Sequence, residues 1–327
     1  MALLEVEHLS VRLKTARGLA TAVRDVSFEL GQGETLGLIG ESGCGKSVTA
    51  LALLGLLPES AQVTGSVRFE GRELVGLDEA GMCRLRGDRI AMVFQEPMTA
   101  LNPLHTVGRQ VAEPLVLHRG MDAAAARRRA IELLGRVGLP DPAQRVDAYP
   151  HQLSGGQRQR VTIAMALACE PALLIADEPT TALDVTVQRQ ILDLIDDLVD
   201  ERRMAMLLIS HDLGVIAQNV ERMMVMYGGS VIESGATSQL FGHMAHPYTR
   251  GLFGARPRLG APAGTRLTTI EGTVPELVDL PPGCGFAERC AFAQPTCLRT
   301  RPQPVQIDAG HEASCLRLDA VMAGDTP

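Results

Sequence analysis

One glycine-rich octet limits this chain of 327 residues to very few folds: it reads Gly40, Glu41, Ser42, Gly43, Cys44, Gly45, Lys46, Ser47. The octet follows the apolar run Thr35–Ile39 and precedes the helix-forming run Val48–Leu54. In that strand–loop–helix context the pattern G-x-x-x-x-G-K-[ST] binds phosphate, because glycines let backbone N–H groups face the oxygens and the helix N-terminus adds positive potential. The octet therefore predicts a nucleotide-binding α/β domain.

Two side chains of the octet are assigned particular partners. Lys46 is predicted to reach the β- and γ-phosphates of ATP, and the Ser47 hydroxyl is predicted to coordinate Mg²⁺. Lys14 and Lys46 are the only lysines in the chain, and every other basic residue is Arg. A compact ammonium suits a phosphate better than a planar guanidinium does, which favours a functional loop over a chance glycine-rich turn.

Composition excludes several classes of protein. Hydrophobic residues make up 46% of the chain and aromatic residues 3%, so we expect a core of aliphatic side chains and Met. The formal net charge of −7 argues against a nucleic-acid partner. No segment reaches the roughly 18 uncharged apolar residues of a membrane span, and the N-terminus does not read as a signal peptide. We expect a soluble, cytoplasmic chain whose membrane role comes through a partner, and whose seven cysteines do not form disulfides.

Strand-like and helix-like segments alternate as far as about residue 255. The predicted strands are Leu3–Leu9, Ala22–Leu30, Glu34–Ile39, Val67–Phe69, Arg89–Phe94, Ala172–Ala176, Met204–Ile209, Arg222–Tyr227 and Ser230–Ser234. The predicted helices after the octet are Val107–His118, Ala123–Val137, Arg158–Cys169, Val185–Val199 and Leu213–Gln218. This alternation predicts a parallel sheet covered on both faces, with a helical block inserted at about residues 96–160. Residues 256–327 are rich in Pro, Gly and Cys and are predicted to form a small, loop-rich module.

A second motif, at residues 154–157, places polar groups at the start of a predicted helix. Ser154 is a good N-cap, and the residues after it, Gly155, Gly156 and Gln157, begin a helix whose N–H groups can bind an anion. A simple capped turn is an equal alternative for this motif.

An acidic pair follows a buried strand. Asp177 is predicted to bind Mg²⁺ and Glu178 to act as the general base toward the attacking water; a pair that only caps a helix is the alternative. Gln95 and His211 each follow a strand, where Gln95 would ligate Mg²⁺ or the water and His211 would contact the γ-phosphate. Taken alone, His211 reads as a structural or surface histidine.

The order of these motifs resembles the ATP-binding-cassette ATPase domain over about residues 1 to 255. The resemblance implies a P-loop NTPase (RecA-like) core with an inserted helical subdomain and an antiparallel β subdomain. It also implies a head-to-tail dimer in which ATP on Lys46 of one cassette is covered by residues 154–157 of the other. Residues 181–184, ending in Asp184, would follow the interface. Leu13 stands where relatives carry the aromatic residue that stacks on adenine, so adenine stacking should be weaker here.

A closer resemblance narrows the class. Residues 95–103 look like the loop by which oligopeptide and dipeptide importer ATPases engage their membrane subunits, and residues 246–250 resemble the C-terminal extension of those ATPases. This implies a peripheral ATPase subunit that lies at the cytoplasmic face of the inner membrane and powers peptide import. Its partners would be a second cassette, often a paralogue, two permease subunits and, indirectly, an extracytoplasmic peptide-binding protein. Nickel or other solute importers are the near alternative, and a soluble cassette ATPase without a transporter is the remote one.

Four cysteines fall in the C-terminal segment with the spacing C-x₅-C-x₆-C-x₁₇-C: Cys284, Cys290, Cys297 and Cys315. The spacing lacks the C-x₂-C pair typical of structural zinc, and four thiolates suit an iron–sulfur cluster. Zinc, and buried or disulfide cysteines, remain alternatives; the resemblance also implies a [4Fe-4S] cluster. His311 is a possible substitute ligand but reads as a surface histidine, and the other cysteines (Cys44, Cys83, Cys169) read as packing residues.

Overall fold

A computed structural model of the chain describes residues 2–181, 183–255 and 269–323. The predicted connector at residues 256–266 and Ala182 lie outside these ranges. The strands, numbered in chain order, are β1 (Leu4–Thr15), β2 (Gly18–Leu30), β3 (Thr35–Ile39), β4 (Gln62–Phe69), β5 (Arg72–Glu73), β6 (Ile90–Val93), β7 (Leu173–Asp177), β8 (Ala205–Ser210), β9 (Arg222–Tyr227), β10 (Ser230–Ala236), β11 (Val305–Asp308) and β12 (His311–Ala313).

The helices are numbered in the same way. They are α1 (Lys46–Leu53), α2 (Glu79–Cys83), α3 (Pro97–Ala100), α4 (Val107–Arg119), α5 (Ala123–Arg136), α6 (Pro142–Arg145), α7 (Gly155–Ala166), α8 (Val185–Arg202), α9 (Leu213–Asn219), α10 (Thr237–Gly242), α11 (Pro247–Gly254) and α12 (Leu318–Met322). Short 3₁₀ turns lie at Pro150–Gln152 and Ala287–Arg289. Among the helices of the described ranges, none combines the length and apolar character that crossing a bilayer requires.

The chain divides into two compact units, each assembled from separate stretches. The first unit comprises Met1–Glu5, Glu29–Thr35 and Arg68–Ile209, and the second comprises Val6–Phe28, Leu36–Val67 and Ser210–Pro327. The second unit therefore holds both the glycine-rich octet and the four C-terminal cysteines. The predicted boundary between residues 255 and 256 stays a prediction.

The first unit combines parallel strands with a block of helices. Strand β7 pairs in parallel with β6 on one side and β8 on the other, and all five of its residues are buried. Such a strand must be apolar on both faces, as its sequence from Leu173 to Ala176 is. Helices α4, α5 and α7 pack together, and Thr106, Asp122 and Ser154 cap their N-termini. The helical block predicted from residue 96 onward is present.

One sheet of the second unit has the strand order β11-β12-β10-β9-β3, and most of β1, β2 and β4 lies in a separate sheet with the order β2-β1-β4. Strands β3 and β9 are parallel, whereas β9–β10, β10–β12 and β11–β12 are antiparallel. The hairpin predicted at Gly228 and Gly229 joins β9 to β10, since both glycines adopt the positive φ that a two-residue turn requires. The C-terminal strands β11 and β12 thus extend a sheet that begins beside the octet.

Several predicted elements have different bounds in the structure, including the starts of β2 and β4. Strand β1 continues to Thr15, six residues beyond the prediction, because buried Leu9 and Val11 still alternate with less buried neighbours past the predicted end. Helix α7 begins at Gly155 rather than at Arg158, since the side chains of Ser154 and Gln157 form a capping box around its first turn.

Helix α8 carries an acidic side chain that opposes folding at neutral pH. Burial, helped by repulsion from Asp200, Asp193 and Asp197, raises the pKa of half-buried Asp196 to about 7. A carboxyl group with a raised folded pKa destabilises the fold increasingly as pH rises from about 4 to about 7. We predict that Asp196→Asn stabilises the chain by roughly 1–2 kcal/mol at pH 8, after allowance for screening of a half-buried group, and that the gain vanishes near pH 4.

Thermal unfolding of the two proteins across pH 4–8 measures this gain. The exposed neighbour Asp197 provides a matched control, because Asp197→Asn removes only part of the repulsion and should gain less. An equal gain at pH 4 and pH 8 would contradict the assignment.

Candidate functional site

The glycine-rich loop between β3 and α1 is shaped by close backbone packing. Gly40 and Gly45 have φ angles of 157° and 104°. A Cβ at Gly40 would lie 2.3 Å from the carbonyl oxygen of Met226, and one at Gly45 would lie 2.5 Å from that of Ala22. No side chain fits at either position. Gly43 also has a positive φ, 81°, but a Cβ there would meet nothing within 4 Å.

The lysine of the loop is buried against the loop's own carbonyl groups. Lys46 is 5% exposed, and its Nζ donates hydrogen bonds to the carbonyl oxygens of Gly40 at 2.7 Å and Glu41 at 3.2 Å. The N-cap residue of α1, Gly45, has no side chain and makes no side-chain cap hydrogen bond. The loop thus directs an ammonium and helix N–H groups toward one place, the arrangement that binds a phosphate.

Cys44 contributes packing to the same loop. It is buried, and burial raises the pKa of its thiol although Lys46 acts in the opposite direction. A buried, protonated thiol behaves as a small apolar side chain, which agrees with the prediction that Cys44 is a packing residue. Cys169 is also buried, whereas Cys83 is exposed.

In the first unit, two side chains donate hydrogen bonds to one carboxylate oxygen. Oε2 of Glu178 accepts hydrogen bonds from Gln95 Nε2 at 3.1 Å and from Thr181 Oγ1 at 2.9 Å. The Glu178 backbone has a φ of 46°, unusual for a residue with a side chain, and its N–H donates to the carbonyl oxygen of Ile209 at 2.9 Å. Strained backbone of this kind occurs at functional sites, and here it orients the carboxylate. Asp177, the last residue of β7, is buried.

The motif at the start of α7 satisfies much of its own hydrogen bonding. Ser154 Oγ accepts from the Gln157 N–H at 3.3 Å, and the Gln157 side chain accepts from the Ser154 N–H at 3.1 Å. A Cβ at Gly156 would lie 2.8 Å from a methyl group of Val187 on α8, so this glycine also serves helix packing. Ser154 and Gly155 are exposed. Anion binding by this motif stays a prediction.

Three other predicted residues have the following positions. Asp184 caps α8, since its Oδ1 accepts from the Val187 N–H at 3.0 Å. His211 is exposed and directly follows β8. His211 and the glycine-rich loop belong to the second unit. Gln95, Asp177 and Glu178 belong to the first unit. Leu13 lies on β1 and is partly exposed.

The four C-terminal cysteines influence one another electrostatically. Burial raises the pKa of both Cys284 and Cys290 to about 11, and neighbouring thiols add to the effect, including those of Cys315 and Cys297. Backbone N–H groups donate to sulfur, from Gln294 to Cys297 at 3.5 Å and from Arg317 to Cys315 at 3.3 Å. The donor set thus has the all-sulfur chemistry of an iron–sulfur or zinc site. Within residues 2–181, 183–255 and 269–323, however, no three His, Cys, Asp or Glu side chains are placed so as to hold a metal ion.

The prediction that His311 is a surface histidine is wrong. His311 is 2% exposed, and its Nε2 lies 2.9 Å from Oε1 of Glu233, which is itself 1% exposed. Glu233 also accepts the N–H groups of Ala245 and His246, at 2.7 and 2.9 Å. The sequence offered no signal for this buried cluster, because its members come together only when β12 pairs with β10.

Sequence reasoning also missed two residues that contact the glycine-rich loop. Tyr248 Oη accepts the N–H of Glu41 at 2.9 Å, and Arg289 binds the Glu41 carboxylate. Tyr248 lies in the segment at residues 246–250 that was noted only for its family resemblance. Nothing in the sequence around Arg289 indicates a partner so distant along the chain.

Comparisons with known proteins agree with this geometry. Residues 23–181 match the family model described as ABC transporter, and residues 232–297 match that described as oligopeptide/dipeptide transporter, C-terminal region. Over 313 residues the chain is 53% identical to a peptide import ATP-binding protein of Brucella abortus, covering 95% of this chain and 93% of the relative.

Two further comparisons extend the result. The chain is 50% identical over 320 residues to the oligopeptide transport ATP-binding protein OppD of Mycobacterium tuberculosis, covering 98% of this chain and 52% of that protein. Among solved structures, the dimeric ATP-binding cassette MJ0796 bound to ADP and Pi matches with a TM-score of 0.64 and 30% identity. This match covers 72% of the present chain and 98% of the cassette.

The loop glycines provide a matched pair of substitutions. We predict that Gly40→Ala lowers the thermal unfolding temperature sharply and abolishes nucleotide binding, because its Cβ would overlap the Met226 carbonyl oxygen. Gly43→Ala should cost only the roughly 1–2 kcal/mol of a left-handed backbone with a side chain. Thermal unfolding and titration with a fluorescent ATP analogue measure both effects. Equal losses in the two variants would contradict this account of the loop.

Proposed function

This chain belongs to the ABC transporter ATPases, among the peptide import ATP-binding proteins, and on that premise we propose how its residues power import. It hydrolyses ATP and thereby drives the uptake of peptides through permease subunits. The observation that carries the mechanism is the Glu178 carboxylate, whose Oε2 is held by Gln95 and Thr181 at the end of a buried parallel strand. Ligands of open α/β sheets bind beyond such strand ends.

The phosphate loop is proposed to bind the triphosphate. Binding of ATP requires Lys46 to exchange the carbonyl oxygens of Gly40 and Glu41 for phosphate oxygens. This exchange pairs the lysine ammonium with oxygens of opposite charge instead of neutral carbonyl oxygens. The helix N-terminus of α1 adds positive potential toward the phosphates.

Mg²⁺ is the metal that accompanies ATP in this family. The residues proposed to hold it are Ser47, Gln95 and Asp177, which offer hydroxyl, amide and carboxylate oxygens, the donors that this hard cation prefers. Because the amide nitrogen of Gln95 already donates to Glu178, its amide oxygen is the atom left to act as a ligand. When bound, Mg²⁺ neutralises charge on the β- and γ-phosphate oxygens.

Glu178 is the proposed general base. Its carboxylate takes a proton from a water molecule whose oxygen attacks the γ-phosphorus, while the bond to the bridging oxygen of ADP breaks. Gln95 and Thr181 fix the orientation of the carboxylate, so the base does not have to be ordered during the reaction. His211, exposed after β8, is proposed to contact the γ-phosphate.

The coupling to transport is proposed to use a second cassette. The N-terminus of α7, residues 154–157, would cover ATP bound to the partner, and Asp184 would lie near that interface. A γ-phosphate held from both sides favours the closed pair, and its cleavage removes the favoured contact. The second cassette is proposed to be a paralogue of this chain. The pair would act at the cytoplasmic face of the membrane with two permease subunits and, indirectly, with a peptide-binding protein outside.

The four C-terminal cysteines are proposed to bind a [4Fe-4S] cluster. Support comes from the all-sulfur set of side chains and from the backbone N–H groups that donate to Cys297 and Cys315. Thiols with a pKa of about 11 are protonated at neutral pH, and a metal site would replace those protons with cations. Zinc in the same four thiolates is the alternative outcome of the test.

The function is tested with Glu178→Gln in the assembled importer. We predict that ATP hydrolysis falls by roughly 10²–10⁴-fold while ATP binding persists, because the amide keeps the shape of the side chain and cannot accept the proton. Peptide added with the binding protein should stimulate only the wild type. Stimulation by nickel instead of peptide would assign a different cargo, and unchanged turnover in the variant would remove Glu178 from the base role.

The cysteine assignment is tested by replacing one ligand. Anaerobically purified wild type should contain about four iron and four sulfide per chain and absorb broadly in the visible range. Cys297→Ser should lower the iron content at least severalfold, whereas Cys83→Ser, an exposed cysteine of the first unit, should not change it. Stoichiometric zinc in a colourless protein would contradict the cluster.

A further inference from the structure

An arginine of the cysteine-bearing segment binds the phosphate loop directly. Arg289 Nη1 lies 2.8 Å from Glu41 Oε2, and its Nη2 lies 3.2 Å from Glu41 Oε1. The arginine side chain is 6% exposed and that of Glu41 is 28% exposed. Two parallel bonds between a guanidinium and a carboxylate are stronger and more specific in direction than one, and partial burial reduces their screening by solvent.

The guanidinium of Arg289 is held in place by groups other than Glu41. Its Nε donates to the carbonyl oxygen of Glu271 at 2.9 Å, and Nη1 also donates to Tyr227 Oη at 3.3 Å. The guanidinium carbon lies 5.8 and 5.9 Å from the ring centres of Tyr227 and Phe286. Arg289 therefore presents a fixed positive charge to the loop.

Glu41 contacts both Arg289 and Lys46, the lysine proposed to bind phosphate. The carbonyl oxygen of Glu41 accepts a hydrogen bond from Lys46 Nζ at 3.2 Å, and its N–H donates to Tyr248 Oη at 2.9 Å. The aromatic ring of Tyr248 is fully buried and packs edge-on against Tyr227, with ring centres 4.8 Å apart. A displacement of Glu41 would therefore move a partner of Lys46.

The charge of Glu41 gives Arg289 a second effect. Glu41 places a carboxylate in a loop built to receive a triphosphate, and like charges repel strongly where solvent is partly excluded. Arg289 supplies the countercharge. Without it, the half-buried carboxylate would have to find water or another cation, and either change would disturb the loop.

Arg289 directly precedes Cys290 and ends the 3₁₀ turn Ala287–Arg289. The turn follows Cys284, whose backbone N–H donates to the carbonyl oxygen of Cys297 at 2.7 Å. The guanidinium is thus carried by the backbone segment that contains Cys284 and Cys290.

We propose that Arg289 is a positioning residue for ATP binding: through its paired bonds to Glu41, the cysteine-bearing segment sets the conformation and charge of the phosphate loop. This inference rests on the proposed function, because it requires that the loop bind a triphosphate. It makes nucleotide affinity depend on a part of the chain that carries none of the nucleotide motifs.

The test measures binding of a fluorescent ATP analogue, mant-ATP, by the full chain, together with KM and kcat for ATP in the assembled importer. Arg289→Ala should weaken mant-ATP binding and raise KM at least tenfold, because that is the loss expected when a charged hydrogen-bonded pair is removed. The kcat for ATP should stay within about twofold of wild type. Arg299→Ala, an exposed arginine of the same segment, is the control and should bind like wild type.

If Arg289 acts by neutralising Glu41, removal of the Glu41 carboxylate should restore part of the affinity that Arg289→Ala loses. Glu41→Gln removes the carboxylate that Arg289 neutralises, so Glu41→Gln combined with Arg289→Ala should bind mant-ATP at least threefold more tightly than Arg289→Ala alone. A purely structural role for Arg289 would instead leave the double variant as weak as Arg289→Ala. Arg289→Lys, which keeps the charge without the paired geometry, should lose about threefold and serves as the readout if the alanine variant does not fold.

The outcomes separate the two proposals. If wild type does not bind mant-ATP, the proposed function fails. If wild type binds and Arg289→Ala binds equally well, only the present inference fails; it also fails if kcat falls while affinity is unchanged, or if the double variant is not rescued.

Discussion

The phosphate loop depends on direct contact between its backbone and two neighbouring backbone segments. Carbonyl oxygens of Ala22 and Met226 occupy the space where side chains at Gly45 and Gly40 would lie. The Gly229 N–H donates to the carbonyl oxygen of Cys44 at 3.1 Å, which adds a third point of attachment. Backbone groups resist displacement more than side chains do, so the loop is preorganised and its N–H groups need little reordering to meet an anion.

The C-terminal strands belong to the same packed body as this loop. Glu233 on β10 binds His311 on β12 while it accepts two backbone N–H groups from the start of α11. A buried carboxylate loses its hydration and is tolerated only when such partners replace the water. Because these partners come from separate segments, the cluster specifies how β12 and α11 pack on β10. Tyr248 on α11 then reaches Glu41 of the loop.

Helical and strand segments were predictable where local pattern and tertiary environment agree. Helices α4 and α5 show a clear period and strong N-caps, and their observed starts at Val107 and Ala123 match the prediction. The start of α7 differed by three residues, because glycines have low helix propensity and only the capping box reveals the true first turn. His311 was assigned to the surface because burial of a histidine depends on its partner, and Glu233 lies 78 residues away.

Residue order alone indicated the chemistry of this protein: an octet with the pattern of a phosphate loop, an acidic pair after an apolar strand, and four thiols near the C-terminus. These follow from short-range spacing, since backbone geometry and side-chain type act within a few residues. Folding alone decided which distant groups meet, as when Gln95 orients Glu178, or Arg289 neutralises Glu41. Such pairs join residues far apart in the chain, and their distances depend on strand register and packing, which no local pattern encodes.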